Sequence, residues 1–343
     1  MNIPENVSVE ETRYCFPLVN ASCPKHSYSG TVVAGMCFFM ICSTLITVSG
    51  NLIVIISISH FKCLHSQTNI LVCSLAVADL LLGFLVMPYS TIRTVTNCWY
   101  FGSLPCKIHS GIDGTLSVAS AFHIFFISID RYYAVCHPLH YSNKITFSVT
   151  MMFIGISWAT AITYVFYVTF SEVNLVGIED YVTLISCEGF CSVVFNKVLG
   201  VTTFTFAYFI PCTVMTVMYI RIFIVAKRHA QFINNVTEKS KSLEMGQKIS
   251  SVKERKAAKT LCVIMVTFVV CWTPFYCTFA IDPFLNYTIP ANAYDVLVWI
   301  AYMNSSLDPI IYGLYYLWFR KALVILFSGK IFHPGSSDIN IIT

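Results

Sequence analysis

Charged residues are scarce in this sequence. Asp, Glu, Lys and Arg make up only 11% of its 343 residues, whereas 56% are apolar. Soluble domains carry about 25% charged residues, so the composition excludes an ordinary soluble protein and indicates a membrane protein. The net charge of +4 is too small to favour a nucleic-acid-binding protein, and we expect no nucleic-acid partner.

Several other signals are also absent. The first 30 residues are polar and contain no apolar run typical of a signal peptide, so we expect the first apolar run itself to direct insertion. No internal repeat or ring of like residues stands out, which argues against transporters and channels. No nucleophile, base and orienting group share one compartment, so we do not expect an enzyme.

Seven apolar runs are long enough to cross a bilayer, which needs about 20 residues. We place them near 31–59, 68–92, 104–136, 147–170, 193–225, 258–281 and 293–316. With the N-terminus outside, 16 of the 21 Lys and Arg residues fall on the inner side. The excess of positive charge inside therefore predicts an extracellular N-terminus. The longest polar break, 227–257, then becomes a cytoplasmic loop.

The stretch 316–327 alternates apolar and polar residues at helical spacing. It predicts a short amphipathic helix that lies on membrane lipid, and because it has no cysteine we expect no palmitoyl anchor. The predicted fold is all-α: a seven-transmembrane helix bundle with a short amphipathic eighth helix. Its parts are an N-terminal segment (1–30), the bundle (31–316) and the amphipathic helix with the tail (317–343).

The predicted outer side carries two kinds of modification site. Glycosylation acceptor sequences occur at Asn6, Asn20 and Asn286, whereas the topology discounts the matches at Asn235 and Asn304. Disulfides persist in the oxidising outer compartment. The cysteines on that side are Cys15, Cys23, Cys98, Cys106, Cys187 and Cys191.

A polar stripe follows the third apolar run. Asp113 and Arg131 are 18 residues apart, which places them on one helix face about 27 Å apart. Ser117 and Ser120 fall near the same face. A charged group inside a membrane faces the bundle interior or a water-filled cavity. Nothing of opposite charge is visible at the depth of Asp113, so we expect a cationic ligand there; the alternative is a protonated or water-bridged structural acid.

Prolines interrupt three of the apolar runs, at Pro211, Pro274 and Pro309. Each proline removes a backbone hydrogen bond and permits a kink. Kinked helices around a polar centre favour a two-state switch over a rigid pore.

The motifs on these runs resemble those of rhodopsin-like receptors that couple to G proteins. In order along the chain, they are GN (50–51), LAVAD (75–79), DRY (130–132), Trp158, CWTP (271–274) and DPIIY (308–312), with Pro211 and Tyr219 in the fifth run. Within that class, NSSLDPIIYGLYYLWF (304–319) resembles the trace amine-associated receptors, as do SISHFKCLHSQTN, NCWYFG, KERKAAKTL and CEGFC. The resemblance covers the chain from about residue 23 to about residue 332.

The resemblance implies a plasma-membrane receptor for small trace or volatile amines. Its expected partner is a heterotrimeric G protein of the stimulatory, cyclic-AMP-raising type, and olfactory neurons are one expected site. The residues that match the family's ligand pocket are Asp113, Ser117, Thr203, Phe204, Trp272, Phe275, Tyr276 and Tyr302. Among them, Asp113 matches the carboxylate that pairs with the ligand ammonium.

The resemblance also implies a switch and two disulfides. The switch residues are Asp130, Arg131, Tyr219, Glu254, Pro309 and Tyr312, with Glu254 as the resting partner of Arg131. The implied bridges are Cys106–Cys191 and Cys23–Cys187, which leave Cys15 and Cys98 unassigned. Hard oxygens suit a hard cation, and a possible sodium site comprises Asp79, Ser120, Asn304, Ser305 and Asp308. No other cofactor is expected.

The sequence departs from the family pattern in places. Thr203 and Phe204 stand where some polyamine-sensing members carry a second acid, which weakens a deep diamine site. Glu188, Asp282 and Asp295 near the outer mouth remain as candidates for a second ammonium. Asp308 replaces the usual Asn before Pro309, which bears on coupling and basal activity.

A receptor for a peptide or lipid is kept as the alternative, whereas a retinal pigment is not expected. A receptor for a peptide or lipid does not need a buried acid ringed by aromatics. A retinal pigment needs a Schiff-base lysine in the seventh run, and Tyr302 stands at the matching position.

Overall fold

The computed structural model describes residues 14–25, 28–237 and 245–342, with the backbone alone at 229–230, 232–237 and 245–261. The described part forms a helical bundle. Its principal helices are α1 (Gly30–His60), α2 (Gln67–Thr96), α3 (Ser103–Cys136), α4 (Phe147–Ser171), α5 (Lys197–Arg228, continuing to Thr237), α6 (Met245–Ile281), α7 (Ala291–Tyr315) and α8 (Leu317–Phe327).

Six helices in the described part of the chain, α1 to α6, are by themselves long and apolar enough to cross a membrane. The seventh, α7, passes the same test together with α8, from which a bend of 98° separates it. α3 packs against α2, α4 and α5 and lies at the centre of the bundle. The seven-helix fold with a short eighth helix is therefore confirmed.

Polar side chains fix where several helices begin. Ser29, Ser66, Thr146 and Asn196 precede α1, α2, α4 and α5, and each accepts a hydrogen bond from a backbone N–H of the first turn. Such N-caps satisfy donors that otherwise lack a partner. Asn196 shows why the predicted start of the fifth span at 193 is wrong: its Oδ1 accepts from Leu199 N at 2.9 Å, and the helix begins at Lys197.

The sixth helix is longer than the apolar run predicted. It begins at Met245 rather than at 258, although its membrane-crossing part spans Cys262–Leu285. The preceding stretch, 245–261, contains four Lys and two Ala, residues that favour helix in water. Hydrophobicity therefore marked the membrane part and missed the polar extension.

Two helices contain π-helical turns, at Leu82–Val86 in α2 and at Phe204–Phe209 in α5. Each turn lies just before a proline, Pro88 or Pro211. Because proline supplies no N–H, the preceding turn lacks a regular hydrogen bond and widens. The expected distortion of the fifth helix at Pro211 takes this form.

α1 and α7 approach closely and are joined by polar contacts. A Cβ added at Gly50 would lie 2.6 Å from Pro309, so this crossing requires glycine. Beside it, Asn51 Nδ2 donates to the carbonyl of Thr47 at 3.0 Å and to that of Ser305 at 3.1 Å. Small residues and interhelical hydrogen bonds are the usual means of joining helices in a membrane.

The two ends of the bundle differ. At the end that carries the N-terminal segment, called the N-side here, three disulfides tie loops together: Cys15–Cys98, Cys23–Cys187 and Cys106–Cys191. At the opposite end, α8 buries Trp318, Phe319 and Ala322. The tail folds back there, with Lys62 Nζ 2.9 Å from Asp338 Oδ1 and Ile341 buried.

Candidate ligand-binding site

Asp113 lies in the N-side half of α3 and is half-buried. Its Oδ2 accepts a hydrogen bond from Tyr302 Oη of α7 at 2.7 Å. Among the described residues, no ion pair includes Asp113. The Ser117 hydroxyl is a second neutral partner of this carboxylate. A carboxylate held inside a helix bundle by neutral donors alone is poorly compensated, because buried charges are ordinarily paired.

Asp113 opens into a cavity of about 170 Å³. The predicted pocket residues Ser117, Thr203, Trp272, Phe275, Tyr276 and Tyr302 also line it. An apolar cavity of about 150 Å³ holds a molecule the size of benzene. The volume therefore suits a ligand with one small ring or a short chain.

Phe204 is the one predicted pocket residue that does not line this cavity. Its ring packs on Tyr208 and Phe209 of the same helix, at centroid distances of 5.9 Å. Consecutive residues on a helix point about 100° apart. Thr203 faces the bundle, where its hydroxyl lies 2.5 Å from Tyr164 Oη, so its neighbour turns away.

Aromatic rings form one side of the cavity. The ring of Trp272 lies 6.0 Å from that of Phe275 and 5.6 Å from that of Tyr276. Tyr276 in turn stacks on Tyr208 at 4.8 Å. Aromatic faces attract a cation, by about 0.5–2 kcal/mol for a good contact. The cavity thus offers a carboxylate and aromatic walls, the two features that an organic ammonium prefers.

Asp295, a sequence candidate for a second ammonium, lines the cavity. Four further lining residues were not predicted to belong to the pocket: Arg93, Tyr164, Phe279 and Tyr294. In the sequence, only their positions near helix ends indicated that they could line a pocket. A position near a helix end does not show whether a side chain faces the bundle interior. A second cavity of about 550 Å³ lies between α1 and α7 and shares Asp295, but Asp113 does not line it.

Below the cavity lies a buried polar centre made of the five residues predicted as a sodium site. Asp79 Oδ1 accepts from Ser305 Oγ at 2.7 Å and from Ser120 Oγ at 3.4 Å. Asp79 Oδ2, both carboxylate oxygens of Asp308 and both amide atoms of Asn304 are buried and have no partner. Three unpartnered carboxylate oxygens at one place fit a small hard cation.

At the end opposite the N-side, Asp130 and Arg131 form a closed network. Arg131 donates to Asp130 Oδ2 from Nε at 2.8 Å and from Nη2 at 2.6 Å. Thr68 Oγ1 donates to Oδ2 at 2.7 Å, and Tyr141 Oη donates to Oδ1 at 2.9 Å. Burial, followed by the charge of Asp130, raises the pKa of Tyr141 further above neutral pH, so the hydroxyl is protonated and can donate.

The remaining predicted switch residues are placed as follows. Tyr219 and Tyr312 are buried in one apolar cluster. Pro309 contacts the α1 backbone at Gly50. The side chain of Glu254 lies outside the described residues, so its predicted pairing with Arg131 stays a prediction.

The disulfides brace loops on the N-side, beside the cavity. Cys106–Cys191 and Cys23–Cys187 are the pairs that the resemblance implied, and Cys15–Cys98 joins the two cysteines that it left unassigned. Backbone contacts reinforce them, with Cys23 N donating to the Glu188 carbonyl at 2.9 Å. Of the predicted glycosylation sites, Asn20 and Asn286 are exposed on this side and Asn6 lies outside the described residues.

A helix bundle with a cavity at Asp113, a polar centre at Asp79 and Asp308, and a buried network at Asp130 has the form of a membrane receptor. The comparison with protein families agrees. Residues 50–312 match the 7 transmembrane receptor (rhodopsin family) model. The chain is 47% identical over 338 residues to trace amine-associated receptor 4 of Mus musculus, covering 98% of this chain and 97% of that protein.

Other relatives give a similar result. Identity to trace amine-associated receptor 1 of Macaca mulatta is 48% over 326 residues, which is 94% of this chain and 96% of the relative. Identity to trace amine-associated receptor 13c of Danio rerio is 43% over 334 residues, or 97% of each. The chain therefore belongs to the trace amine-associated receptors of the rhodopsin family.

Proposed function

We propose that this receptor detects small amines whose ammonium group pairs with Asp113. The observation that carries the proposal is the Asp113 carboxylate, which has only neutral hydrogen-bond donors and no ion pair among the described residues and opens into a cavity with aromatic walls. An ammonium would supply the missing charge, and charge-assisted hydrogen bonds are the stronger kind. The names of the relatives, trace amine-associated receptors, support the same ligand class.

We place the N-side outside the cell and the Asp130–Arg131 network inside. The distribution of Lys and Arg supports this orientation. The three disulfides at the N-side support it as well, because disulfides persist in an oxidising compartment.

Signalling is proposed to pass through a heterotrimeric G protein of the stimulatory type, which raises cyclic AMP. In the resting state Asp130, Thr68 and Tyr141 hold the Arg131 network closed. An agonist that stabilises an open state shifts the population in proportion to its preference for that state. Arg131 would then be free to meet the G protein.

The polar centre between the two ends is proposed to hold a sodium ion in the resting state. Asp79 and Asp308 would supply carboxylate oxygens, with Ser120, Asn304 and Ser305 supplying neutral ones. These residues hold the ion. If their side chains change position when the receptor is activated, ion binding becomes coupled to the Asp130–Arg131 network. Alternatively, two neighbouring carboxylates share a proton.

A receptor for a peptide or lipid is the second candidate. A cavity of about 170 Å³ leaves room for a small molecule only. The unpaired Asp113 also has no role toward an uncharged lipid.

A panel of amines tests the proposal. Cells that express the receptor would be exposed to primary, tertiary and di-amines, with cyclic AMP as the measured response. Each amine is matched to the alcohol of the same carbon skeleton, so that shape is kept and charge removed. We expect responses to amines only. Equal responses to the alcohols would contradict an ammonium site.

A further inference from the structure

Three charged residues line the cavity within the described part of the chain: Arg93, Asp113 and Asp295. Arg93 Nη2 lies 3.6 Å from Asp295 Oδ1, and the two side chains are only 17% and 19% exposed. Their charges offset each other. The cavity therefore presents one net negative charge, that of Asp113, although it contains two carboxylates.

Arg93 is held in place from two sides. Besides the ion pair with α7, its Nη1 donates to the carbonyl of Cys191 at 3.4 Å. Cys191 is bonded to Cys106 at the start of α3, so the loop that receives Arg93 is itself fixed. The guanidinium thus bridges α2, α7 and this loop on the N-side of Asp113.

Asp295 is well placed for a second ammonium. It precedes Tyr302, the partner of Asp113, by seven residues on α7. At 1.5 Å per residue this is about 10 Å along the helix, roughly two turns on the same face. A short α,ω-diamine has a comparable length.

The other two acids near the outer mouth, Asp282 and Glu188, are not on the cavity wall. Asp282 accepts hydrogen bonds from Ile289 N at 3.1 Å and from Tyr294 Oη at 3.0 Å, which fix a turn. Glu188 is exposed in the loop that pairs with the N-terminal segment. Asp295 is therefore the second acid that a ligand on Asp113 can reach among the described residues.

We infer that Arg93 sets the charge of the preferred ligand by covering Asp295, so that the receptor selects monoamines and rejects diamines. The inference rests on the proposed function and deepens it. A second ammonium entering the cavity would meet a fixed guanidinium instead of a free carboxylate. Like charges brought together cost affinity and so create specificity.

The test compares 1-aminopentane with 1,5-diaminopentane, which differ by one ammonium. Binding is measured as thermal stabilisation of the full-length receptor in membranes, which does not depend on the G protein. We expect the wild-type receptor to prefer the monoamine. In Arg93→Gln the amide retains a donor for the Cys191 carbonyl, and the affinity ratio should move toward the diamine by about ten-fold.

Three further variants control the result. Arg93→Lys keeps the charge and should keep the wild-type ratio. The double variant Arg93→Gln/Asp295→Asn also lacks the carboxylate of residue 295, so it should not show the shift of the affinity ratio toward the diamine. Asp295→Asn alone leaves the charge of Arg93 uncompensated, so both amines should bind more weakly and the diamine should lose more affinity. If Arg93→Gln does not fold, this variant tests the inference in its place.

The outcomes separate the two proposals. Suppose that the monoamine stabilises the wild-type receptor. If Arg93→Gln then leaves the ratio of the two affinities unchanged, or if the double variant without Asp295 still gains affinity for the diamine, the selectivity role of Arg93 is wrong. The proposed amine receptor would stand in either case. An Asp295→Asn receptor with unchanged affinity for both amines contradicts the selectivity role too. If neither amine stabilises the wild-type receptor, the proposed function fails and the inference with it.

Discussion

Asp113 and Asp130 lie on the same helix, 17 residues apart, in opposite situations. Asp130 is fully buried and accepts hydrogen bonds from Arg131, Thr68 and Tyr141. Asp113 has only neutral donors, Tyr302 and Ser117, and faces a cavity. The protein thus supplies a cationic partner for the Asp130 carboxylate and none, among the described residues, for the Asp113 carboxylate.

The difference indicates what each acid is for. Charges inside a membrane are costly and mark functional sites. The closed network around Asp130 can hold a resting conformation, because every oxygen has its partner within the protein. The carboxylate of Asp113 has no charged partner of this kind, which is why we propose that it pairs with the ammonium of a ligand.

The largest expected effect comes from removing the open charge. Asp113→Asn keeps the size of the side chain and should weaken amine responses by about a hundred-fold, since a charge-assisted hydrogen bond is worth roughly 1.5–3 kcal/mol or more in a buried site. Asp113→Glu keeps the charge but moves it by one methylene, and should give a partial loss. Concentration–response curves for cyclic AMP, with surface expression measured in parallel, check both.

Tyr302→Phe provides a matched control. It removes one neutral donor to Asp113 and keeps the ring, so amine binding should change by less than about ten-fold. A loss as large as that of Asp113→Asn would show that the site depends on packing rather than on charge.

Removing the charge of Asp130 should have an effect of intermediate size, and it should raise receptor activity rather than lower it. Asp130→Asn removes the charge that holds Arg131, and loss of about 1 kcal/mol of resting-state stability would raise the active fraction about five-fold. Basal cyclic AMP at matched surface expression measures this. Thr68→Val removes one neutral donor and should raise basal activity less. Unchanged basal activity in both variants would show that the Asp130–Arg131 network does not hold the receptor in its resting state.

The smallest expected effect concerns the polar centre between the two aspartates. Replacing sodium by a large organic cation should raise agonist affinity by about five-fold, the low end of ordinary allosteric coupling. Asp79→Asn should abolish the dependence. Agonist affinity that is the same in both salts would exclude a functional sodium site.

Much of this arrangement could be predicted from the sequence, because membrane helices follow simple periodicity. The apolar runs placed α1 to α7, and helical spacing put Asp113 and Arg131 on one face. Boundaries set by polar residues were missed, at Lys197 and Met245, because hydrophobicity marks only what contacts lipid.

Pairings between distant residues were harder to predict. Six cysteines allow 15 connectivities; resemblance implied two bridges, but Cys15–Cys98 depends on where the N-terminal segment folds. The contact between Arg93 and Asp295 likewise depends on the packing of α2 against α7, which no local pattern encodes. Phe204 was misplaced because a shift of one residue turns a side chain out of the pocket.

The most direct test of the central claim is a double-mutant cycle on Asp113. An active amine and the alcohol of the same skeleton are each measured for binding to the wild-type receptor and to Asp113→Asn. If the carboxylate pairs with the ammonium, the substitution should weaken the amine at least ten-fold more than the alcohol, a coupling of about 1.4 kcal/mol. Equal losses for the two ligands would mean that Asp113 shapes the pocket and does not recognise the charge.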